Sequence, residues 1–336
     1  MENKFKGKHF LSCDDWTKEE LDIVFDTSFD LKEKFKKEEP TRYLRDKTLF
    51  MIFFEQSTRT RNSMEAGMTQ LGGHAHDLTA DKMQLSHGES AKDTAIILSR
   101  MGHGIASRNC FYGIGYDYLN EMAKYSPKPV MSLQDDIYHP FQGLADLMTI
   151  FEYFGKNLKG LKVTVSWAYA DTHSKPLSVP QTQALLFPRY GIDLTIANPR
   201  EFPLSQDILD RAEKNSKVGG GSLKIVNDMD EAFEGAQIVI PKNWGGFGAY
   251  TVKDFLANED ECKKKMKVNL EKYKNWICDN KRIKLTDKKV KLMHALPADR
   301  GHEVTDEIID NPEISIVFDE AENRLHTAKA IMSLTM

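Results

Sequence analysis

The sequence predicts an α/β protein built from two doubly wound domains, each with a parallel sheet. Short apolar runs typical of buried strands alternate with helical patterns, and this alternation is most regular after residue 160. A length of 336 residues also suits two domains of roughly 150 residues each. We therefore expect a first domain over residues 1–150, a second over 151–318, and a C-terminal helix over 319–336 that returns to the first domain.

The first domain contains a short apolar strand, predicted over residues 49–54. A helix should follow this strand, because Met64, Met68 and Leu71 recur at helical spacing. Gly72 then provides the residue type that commonly follows the last turn of a helix. The polar stretch between the strand and the helix is therefore expected to be a strand-to-helix turn.

A helix over residues 139–154 should connect the two domains, with His139 near its N-cap and Pro140 at its first position. The second domain then alternates regularly between strand and helix patterns. Its predicted strands are LKVTVSWA, IDLTIANP, LKIVND and AQIVIPKNW, and its predicted helices are PQTQALLFPRY, SQDILDRAEKN and MDEAFEG.

The remaining segments carry weaker patterns. Residues 253–289 are rich in lysine and glutamate, which indicates a solvated helical excursion. Residues 314–336 should form a last strand and a closing helix. We find no internal repeat and no low-complexity tract.

Composition limits the class of partner. Hydrophobic residues make up 40% of the chain and charged residues 29%, and the net charge is −4. These values are ordinary for a globular protein and give no reason to expect nucleic acid or an anionic membrane as a partner. Any basic site must therefore be local.

The four cysteines predict neither a zinc site nor a disulfide framework, because they lie far apart and form no CxxC pair. They are Cys13, Cys110, Cys262 and Cys278. The N-terminal sequence lacks an apolar signal region, and the apolar run LFMIFF is too short to span a bilayer. We expect a soluble, cytoplasmic protein without a metal.

The sequence STRTR at residues 57–61 places cations where a helix is predicted to begin. The N-terminal end of a helix dipole is positive, so charge logic would favour acidic residues over Arg59 and Arg61. Free backbone N–H groups, hydroxyl donors and guanidinium groups would converge there on an anion such as phosphate. The alternative is a helix start whose arginines pair with surface carboxylates.

Four further motifs follow in order: GIASRN with Arg108, HPFQGLAD with His139 and Gln142, MHALP at residues 293–297, and DEAENRLHT with Arg324. With STRTR, this ordered set resembles the aspartate and ornithine carbamoyltransferase family along nearly the whole chain. In that family STRTR holds the phosphate of carbamoyl phosphate.

The resemblance implies a reaction in which an amine attacks the carbonyl carbon of carbamoyl phosphate. Negative charge builds on the carbonyl oxygen and the phosphate departs, so hydrogen-bond donors must surround both groups. No metal or organic cofactor is expected, because the donor is already activated. The implied donor-binding residues are Ser57, Thr58, Arg59, Thr60, Gln84, Arg108, His139, Gln142, Leu296 and Arg324.

The implied catalytic residues are Arg108, His139 and Thr60. Arg108 would span the phosphate and the carbonyl group, and His139 with Thr60 would polarise the carbonyl oxygen. Gln142 and the main-chain carbonyl of Leu296 would orient the carbamoyl amino group. Arg324 would then add a final cation near the beginning of the last helix.

Several of these residues also have structural explanations. His139 could be an N-cap that only satisfies backbone donors, and Arg324 could pair with Glu320 four residues earlier. His74 and His76, together with Asp77, could suggest a metal site, but an isolated HxH is more often solvated or structural.

The stretch DKMQLSHGES, residues 81–90, falls where this family carries a loop that reaches into a neighbouring subunit. Gln84 is the candidate residue for that contact, and the alternative is a mobile polar loop that contacts no ligand. The resemblance therefore implies a homotrimer with sites at subunit interfaces.

The acceptor motifs depart from the ornithine pattern. Ala295 stands where ornithine enzymes usually have cysteine, and PKNWGGFG at 241–248 replaces an Asp…Ser-Met-Gly element. The KNW sequence and KPLSVPQ resemble the knotted branch of the family, which includes N-acetylornithine and N-succinylornithine enzymes and a group of unsettled acceptor associated with purine degradation. The sequences SWAY, KPLSVPQ and LQDDIYHP are most similar to that last group. That branch has a trefoil knot in the second domain. The alternative for residues 171–181 is an ordinary surface loop.

The acceptor-binding residues expected from this resemblance are Lys242, Trp244 and Ala295. If Lys242 faces the pocket, a small anionic amine or amide is favoured as acceptor, or the enzyme phosphorolyses a ureido acid. A surface-facing Lys242 is the alternative. An ornithine enzyme with a divergent pocket and a non-catalytic regulator also remain open. The glycines at 219–221 precede a strand, which disfavours a dinucleotide-binding oxidoreductase.

Overall fold

The computed structural model describes residues 4–84 and 88–336. The chain divides into two compact units. The first contains residues 1–145 together with 322–336, and the second contains residues 146–321. The division of function expected from the sequence, with the donor in residues 1–150 and the acceptor in 151–318, stays a prediction.

The helices and strands alternate through both units. The strands are β1 (Thr48–Phe53), β2 (His74–Thr79), β3 (Gly104–Asn109), β4 (Val130–Asp135), β5 (Lys162–Trp167), β6 (Asp193–Ala197), β7 (Ser222–Val226), β8 (Ile238–Lys242) and β9 (Lys291–Leu292). The α-helices are α1 (Lys18–Lys36), α2 (Arg59–Gln70), α3 (Ala91–Met101), α4 (Gly115–Tyr125), α5 (Pro140–Phe154), α6 (Ser178–Leu186), α7 (Gln206–Gly219), α8 (Met229–Phe233), α9 (Val252–Ala257), α10 (Glu259–Leu270), α11 (Asn280–Ile283), α12 (Asp306–Ile309) and α13 (Val317–Thr335).

The sheet of the first unit has four parallel strands in the order β2-β1-β3-β4. Its central strand β1 has buried residues at five of six positions, because it is covered on both faces. After β1 the chain builds β2 on one side and then crosses to β3 on the other. The direction of winding therefore reverses between β1 and β3, and ligands bind at the carboxyl ends of strands flanking such a reversal.

The sheet of the second unit has five parallel strands in the order β7-β6-β5-β8-β9. Here the winding reverses between β5 and β8, where Trp167 pairs with Lys242 in register. The predicted α/β class with two parallel sheets is therefore confirmed, and each sheet offers one ligand-binding crevice by its topology.

The predicted boundaries agree closely with most elements. The strand expected over 49–54 is β1, and the helix expected over 139–154 begins at Pro140 as α5. Three short helices, α9, α10 and α11, lie within the charged excursion. The chain passes from the first unit to the second within α5, and returns within α13.

The last predicted strand is wrong. Near residue 314 the chain makes only an isolated bridge between Ser315 and Leu292, and α13 begins at Val317. The apolar run ISIVF therefore divides between one pairing residue and the first turn of a helix. Too few residues remain before the helix for a strand to form.

Within the described ranges, no helix is long and apolar enough to cross a membrane.

Candidate functional site in each unit

The sequence STRTR connects β1 to α2 at the reversal point of the first sheet. Thr58 is the N-cap of α2, but its side chain makes no capping hydrogen bond with any described residue, and the first turn has no acidic residue. By contrast, α1 begins with a capping box in which Thr17 and Glu20 satisfy each other's backbone donors. The start of α2 is therefore suited to an external anion.

Arg324 lies in the interior of the first unit and only 2% of it is exposed. Its Nη1 donates to Oε1 of Gln142 at 2.5 Å, and its Nη2 donates to the hydroxyl of buried Thr60. Three residues predicted for the donor site are thus brought together by one guanidinium group. The alternative of a surface-exposed Arg324 is wrong, because its side chain is buried.

Arg108 lies near the carboxyl end of β3, beside Phe53 of β1 in register. Its Nε is 3.8 Å from Oε2 of Glu55, while Oε1 of Glu55 accepts the N–H of Cys110 at 2.9 Å. Burial raises the pKa of the Glu55 carboxyl, and the Arg108 charge opposes that shift. Arg108 therefore has one loosely placed carboxylate beside it.

His139 is buried, and its pKa lies well below the usual value for histidine. Burial is the main cause, and the positive charges of Arg324, Arg108 and Arg59 add to it. The imidazole is therefore neutral at physiological pH and can donate one N–H. We call Arg59, Arg108 and Arg324 the arginine cluster, since all three act on the same imidazole.

The loop that presents His139 is held by two buried carboxylates that sequence reasoning missed. Asp135 accepts the Ser132 hydroxyl at 2.6 Å and the backbone N–H of Tyr138 at 2.6 Å. Asp136 accepts two backbone N–H groups at the start of α4, including that of Tyr116 at 2.8 Å. The adjacent aspartates before the HP sequence were the available signal, because buried carboxylates require such donors.

Close backbone approach also fixes this region. A Cβ on Gly115, the first residue of α4, would lie 1.9 Å from the carbonyl oxygen of Asn109 at the end of β3. Only glycine allows this contact, which places α4 directly against the strand that carries Arg108.

Arg61 does not take part in this cluster. Its guanidinium pairs with Asp77 of β2 and lies 4.2 Å from the ring centre of Phe53. For Arg61, the alternative that the arginines of STRTR pair with carboxylates is therefore correct. Asp77 is the residue that accompanied His74 and His76 as a possible metal ligand, and the described part of the chain contains no group of three metal-ligating side chains.

In the second unit, Lys242 ends β8 at the reversal point of the sheet. The alternative of a surface-facing lysine is wrong, because only 12% of its side chain is exposed. Its Nζ lies 3.4 Å from Oε1 of Glu303 and 3.4 Å from the carbonyl oxygen of Asn243. Burial lowers the pKa of this ammonium group, and the Glu303 charge opposes that shift.

Glu303 is completely buried and collects charged and polar partners from three segments of the second unit. Its carboxylate accepts the backbone N–H of Asn243 at 2.6 Å and that of Asp299 at 2.7 Å. It also lies 3.3 Å from Nζ of Lys175 and 3.2 Å from Nε2 of His294. We call Lys175, Lys242, His294 and Glu303 the Glu303 cluster.

Charge and hydrogen bonding define the state of this cluster. Nδ1 of His294 accepts the N–H of Leu296 at 2.8 Å, so Nε2 carries the proton that is donated to Glu303. The imidazole is therefore neutral, and burial lowers its pKa. The pKa of Glu303 lies well below its usual range, because Lys242 and His294 outweigh the opposing effect of burial. Glu303 is thus ionised.

The other predicted acceptor residues differ in their surroundings. Trp244 is completely buried, and its indole N–H donates to the carbonyl of Phe202 at 2.9 Å. The backbone carbonyl of Trp244 in turn accepts the indole N–H of Trp167. Its side chain therefore has a packing role, and contact with an acceptor stays a prediction. Ala295 is also buried, and Leu296 has a positive φ of 44°.

Gln84 is exposed, and its carbonyl accepts the N–H of Glu89 at 3.2 Å. Residues 85–87, which belong to the predicted interface loop, lie outside the described residues. Sequence reasoning also missed Lys175 and Glu303, whose proximity follows only from the fold.

Comparison with known proteins agrees with this geometry. The model of the aspartate/ornithine carbamoyltransferase carbamoyl-P binding domain matches residues 8–152, and that of the Asp/Orn binding domain matches residues 168–335. Ornithine carbamoyltransferase from Carboxydothermus hydrogenoformans is 38% identical, over 99% of this chain and 98% of the relative. The same enzyme from Halalkalibacterium halodurans is 36% identical, over 98% and 95% respectively.

Solved structures give the same result. Ornithine carbamoyltransferase from Pyrococcus furiosus superposes with a TM-score of 0.84 at 33% identity, covering 99% of this chain and 98% of that one. Acetylornithine transcarbamylase complexed with acetylcitrulline superposes with a TM-score of 0.85 at 31% identity, covering 97% and 98%. These matches define a carbamoyltransferase. The chain belongs to the aspartate/ornithine carbamoyltransferase family, whose substrates are carbamoyl phosphate and an amino-acid acceptor.

We predict that the pKa of the His139 imidazole lies well below the ordinary value for histidine, because burial and the arginine cluster oppose its protonation. Long-range ¹H–¹⁵N correlation spectra recorded across a pH series would measure this, and His139→Asn would assign the signal by removing it. A protonation midpoint near the ordinary value of about 6.5 would contradict the proposed environment.

Proposed function

We propose that this enzyme transfers the carbamoyl group between carbamoyl phosphate and the amino or amide group of a small anionic acceptor that is not ornithine. The observation that carries this proposal is the environment of the Lys242 side chain. Its ammonium group is buried at the reversal point of the second sheet and has no described polar partner closer than 3.4 Å. A buried cation favours an anionic partner, which the acceptor would supply.

The donor would bind in the first unit. Ser57, Thr58 and the backbone N–H groups at the start of α2 would hold the phosphate together with Arg59 and Arg108. Thr60 would act with the neutral His139 at the carbonyl oxygen.

The reaction then proceeds without a covalent intermediate on the enzyme. The acceptor nitrogen forms a bond to the carbonyl carbon, the bond from that carbon to the phosphate oxygen breaks, and the departing phosphate takes up the proton that the nitrogen releases. His139 would donate a hydrogen bond to the oxygen on which charge develops, and Arg108 would stabilise the departing phosphate. Gln142 and the carbonyl of Leu296 would orient the carbamoyl amino group. Such fixed donors contribute several kcal/mol to a reaction of this kind.

The same arrangement would also support the reverse reaction, which is phosphorolysis of a ureido acid, because one transition state serves both directions. An ornithine carbamoyltransferase with a divergent pocket is the second candidate. It is favoured by relatives that carry that name at 36% and 38% identity.

A trefoil knot in the second unit remains part of this proposal. The N–H of Gly245 donates to the carbonyl of Lys175 at 2.8 Å, and a Cβ on Gly245 would lie 2.5 Å from the carbonyl oxygen of His173. The loop at 171–177 therefore runs directly against the KNWG segment, whereas residues 178–181, expected to belong to the same loop, form the first turn of α6. A knotted chain would be tested by tracing residues 165–250 in an experimental density map; an unthreaded loop would contradict it.

We also propose a cytoplasmic homotrimer in which Gln84 contacts the donor site of a neighbouring copy. Its support is the exposure of Gln84 and its position between the phosphate motif and Arg108.

Arg59→Ala should raise the Kd for carbamoyl phosphate at least about 30-fold, near 2 kcal/mol, because a charge-assisted contact to phosphate is lost. Arg61→Ala is the matched control and should change that Kd less than about fivefold, since its guanidinium is occupied by Asp77 and Phe53. Calorimetric titration with a stable phosphonate analogue measures both. Equal losses in the two variants would contradict the assignment of Arg59.

Ornithine should be a poor acceptor, and acidic or amide-bearing amines should be better. The measurement is kcat/KM by phosphate release for ornithine, aspartate, acylated ornithines, 2,3-diaminopropionate derivatives and oxamate. Lys242→Met should reduce the preference for anionic acceptors. If ornithine exceeds every other acceptor by more than about tenfold, near 1.4 kcal/mol, the second candidate function is correct.

Gln84→Ala and Arg108→Ala should each lower activity, and mixing the two proteins should restore part of it. Trimers re-formed from both variants would contain some sites free of either defect, if each site takes residues from two copies. Subunit exchange would be verified by native mass spectrometry. Impaired parents, complete exchange and no recovery would together exclude a shared site.

A further inference from the structure

Lys175 is a second cation beside Lys242, and it comes from a different segment of the second unit. It lies in the loop that follows β5, and its backbone carbonyl accepts the N–H of Gly245 at 2.8 Å. Its ammonium group lies 2.9 Å from Oδ2 of Asp299 and 3.3 Å from Oε1 of Glu303. Lys175 is therefore fixed by both its backbone and its side chain.

Lys175 and Lys242 both face Oε1 of Glu303, but they differ in their other partners. Oε1 of Glu303 accepts the N–H of Asn243 at 2.6 Å and also faces both ammonium groups, at 3.3 Å for Lys175 and 3.4 Å for Lys242. Charge-assisted hydrogen bonds are typically about 2.7–2.9 Å long. Lys175 has such a bond to Asp299, whereas Lys242 has none with the residues that the structure describes.

This arrangement has a simple electrostatic consequence. If Lys175 were absent, the ionised Glu303 would have Lys242 as its one neighbouring ammonium group among the described residues. Lys242 would also no longer be repelled by a second ammonium group, so its positive charge would be held more firmly beside Glu303. Lys175 instead provides part of the charge that Glu303 requires. The ammonium group of Lys242 is thereby left for another anion.

We propose that Lys175 is a positioning residue that determines acceptor specificity, because it partly neutralises Glu303 and so keeps Lys242 available to bind the carboxylate of the acceptor. This inference rests on the proposed function in assigning Lys242 to the acceptor. It adds a residue that acts through Lys242 and need not itself contact the substrate.

The inference predicts how Lys242 titrates. The charged and titratable groups that face its ammonium are Glu303, Lys175, Asp299 and His294. Burial lowers the Lys242 pKa most, Glu303 opposes this, and the positive charge of Lys175 lowers it further. Removing the Lys175 charge should therefore raise the Lys242 pKa.

The first test compares Lys175→Met, Lys175→Arg and Lys217→Met. Lys217 is the control, since it is exposed on α7 and paired with Glu213. With the best acceptor of the panel, Lys175→Met should raise the acceptor KM about tenfold and change kcat less than about threefold. Lys175→Arg should recover most of the loss because it keeps the charge. A fall in kcat at constant KM, or no effect in Lys175→Met, would overturn the proposal.

The second test needs no acceptor. Competitive labelling with acetic anhydride, followed by peptide mass spectrometry, measures the pKa of Lys242 from the pH dependence of its acetylation. In Lys175→Met the labelling of Lys242 at pH 8 should fall at least about threefold, because more of the amine is protonated. Lys217→Met should match the unmodified chain. An unchanged or faster rate in Lys175→Met would overturn the inference.

The two tests separate this inference from the proposed function. If no amine of the panel releases phosphate, the proposed acceptor class fails, and the labelling result alone decides the link between Lys175 and Lys242. If ornithine is the best acceptor but the Lys242 pKa rises in Lys175→Met, the electrostatic link is supported while the anionic acceptor is rejected.

Discussion

The candidate site of the first unit depends on the convergence of the arginine cluster on one buried, neutral imidazole. Burial is the main reason that His139 stays unprotonated, and the guanidinium groups of Arg324, Arg108 and Arg59 add a positive potential that opposes its protonation further. Each cation comes from a different element, so this potential exists only when β3, α2 and α13 are assembled. The fold provides this assembly because parallel strands end on one edge and the winding reverses there. The positive potential of the arginine cluster therefore lies at the edge of the first sheet where the winding reverses.

The two units manage buried charge in different ways. In the first, Arg324 donates to the neutral oxygens of Gln142 and Thr60, and these two contacts do not cancel its positive charge. In the second, Glu303 is a buried anion surrounded by two ammonium groups, a neutral histidine and backbone donors. The first arrangement therefore keeps a net positive potential at His139. The second leaves Lys242 without a short charge-assisted hydrogen bond to any residue in the described ranges.

The sequence predicted the α/β class, the strand before STRTR and the helix from Pro140, because these have strong local periodicity or turn signals. It could not predict that Arg61 turns to Asp77 while Arg59 does not, since both lie in one motif and only the packing of β2 separates them. Lys175 and Glu303 were missed for another reason. They are 128 residues apart in number but 3.3 Å apart in space, and no spacing rule links them. The prediction of a last strand was wrong because the helix that begins at Val317 takes up the same apolar residues.

The return of α13 to the first unit affects the order in which the chain acquires structure during synthesis. Residues 146–321 form the second unit, and they leave the ribosome before residues 322–336, which complete the first. Arg324 reaches Thr60 across 264 positions, and near the two ends of the chain the N–H of Gly7 donates to the carbonyl of Thr335 at 2.9 Å. Contacts of such long range form late. The contact between Arg324 and Thr60 therefore cannot form until residues 322–336 have been synthesised, and deletion of residues 322–336 would remove this contact together with most of α13.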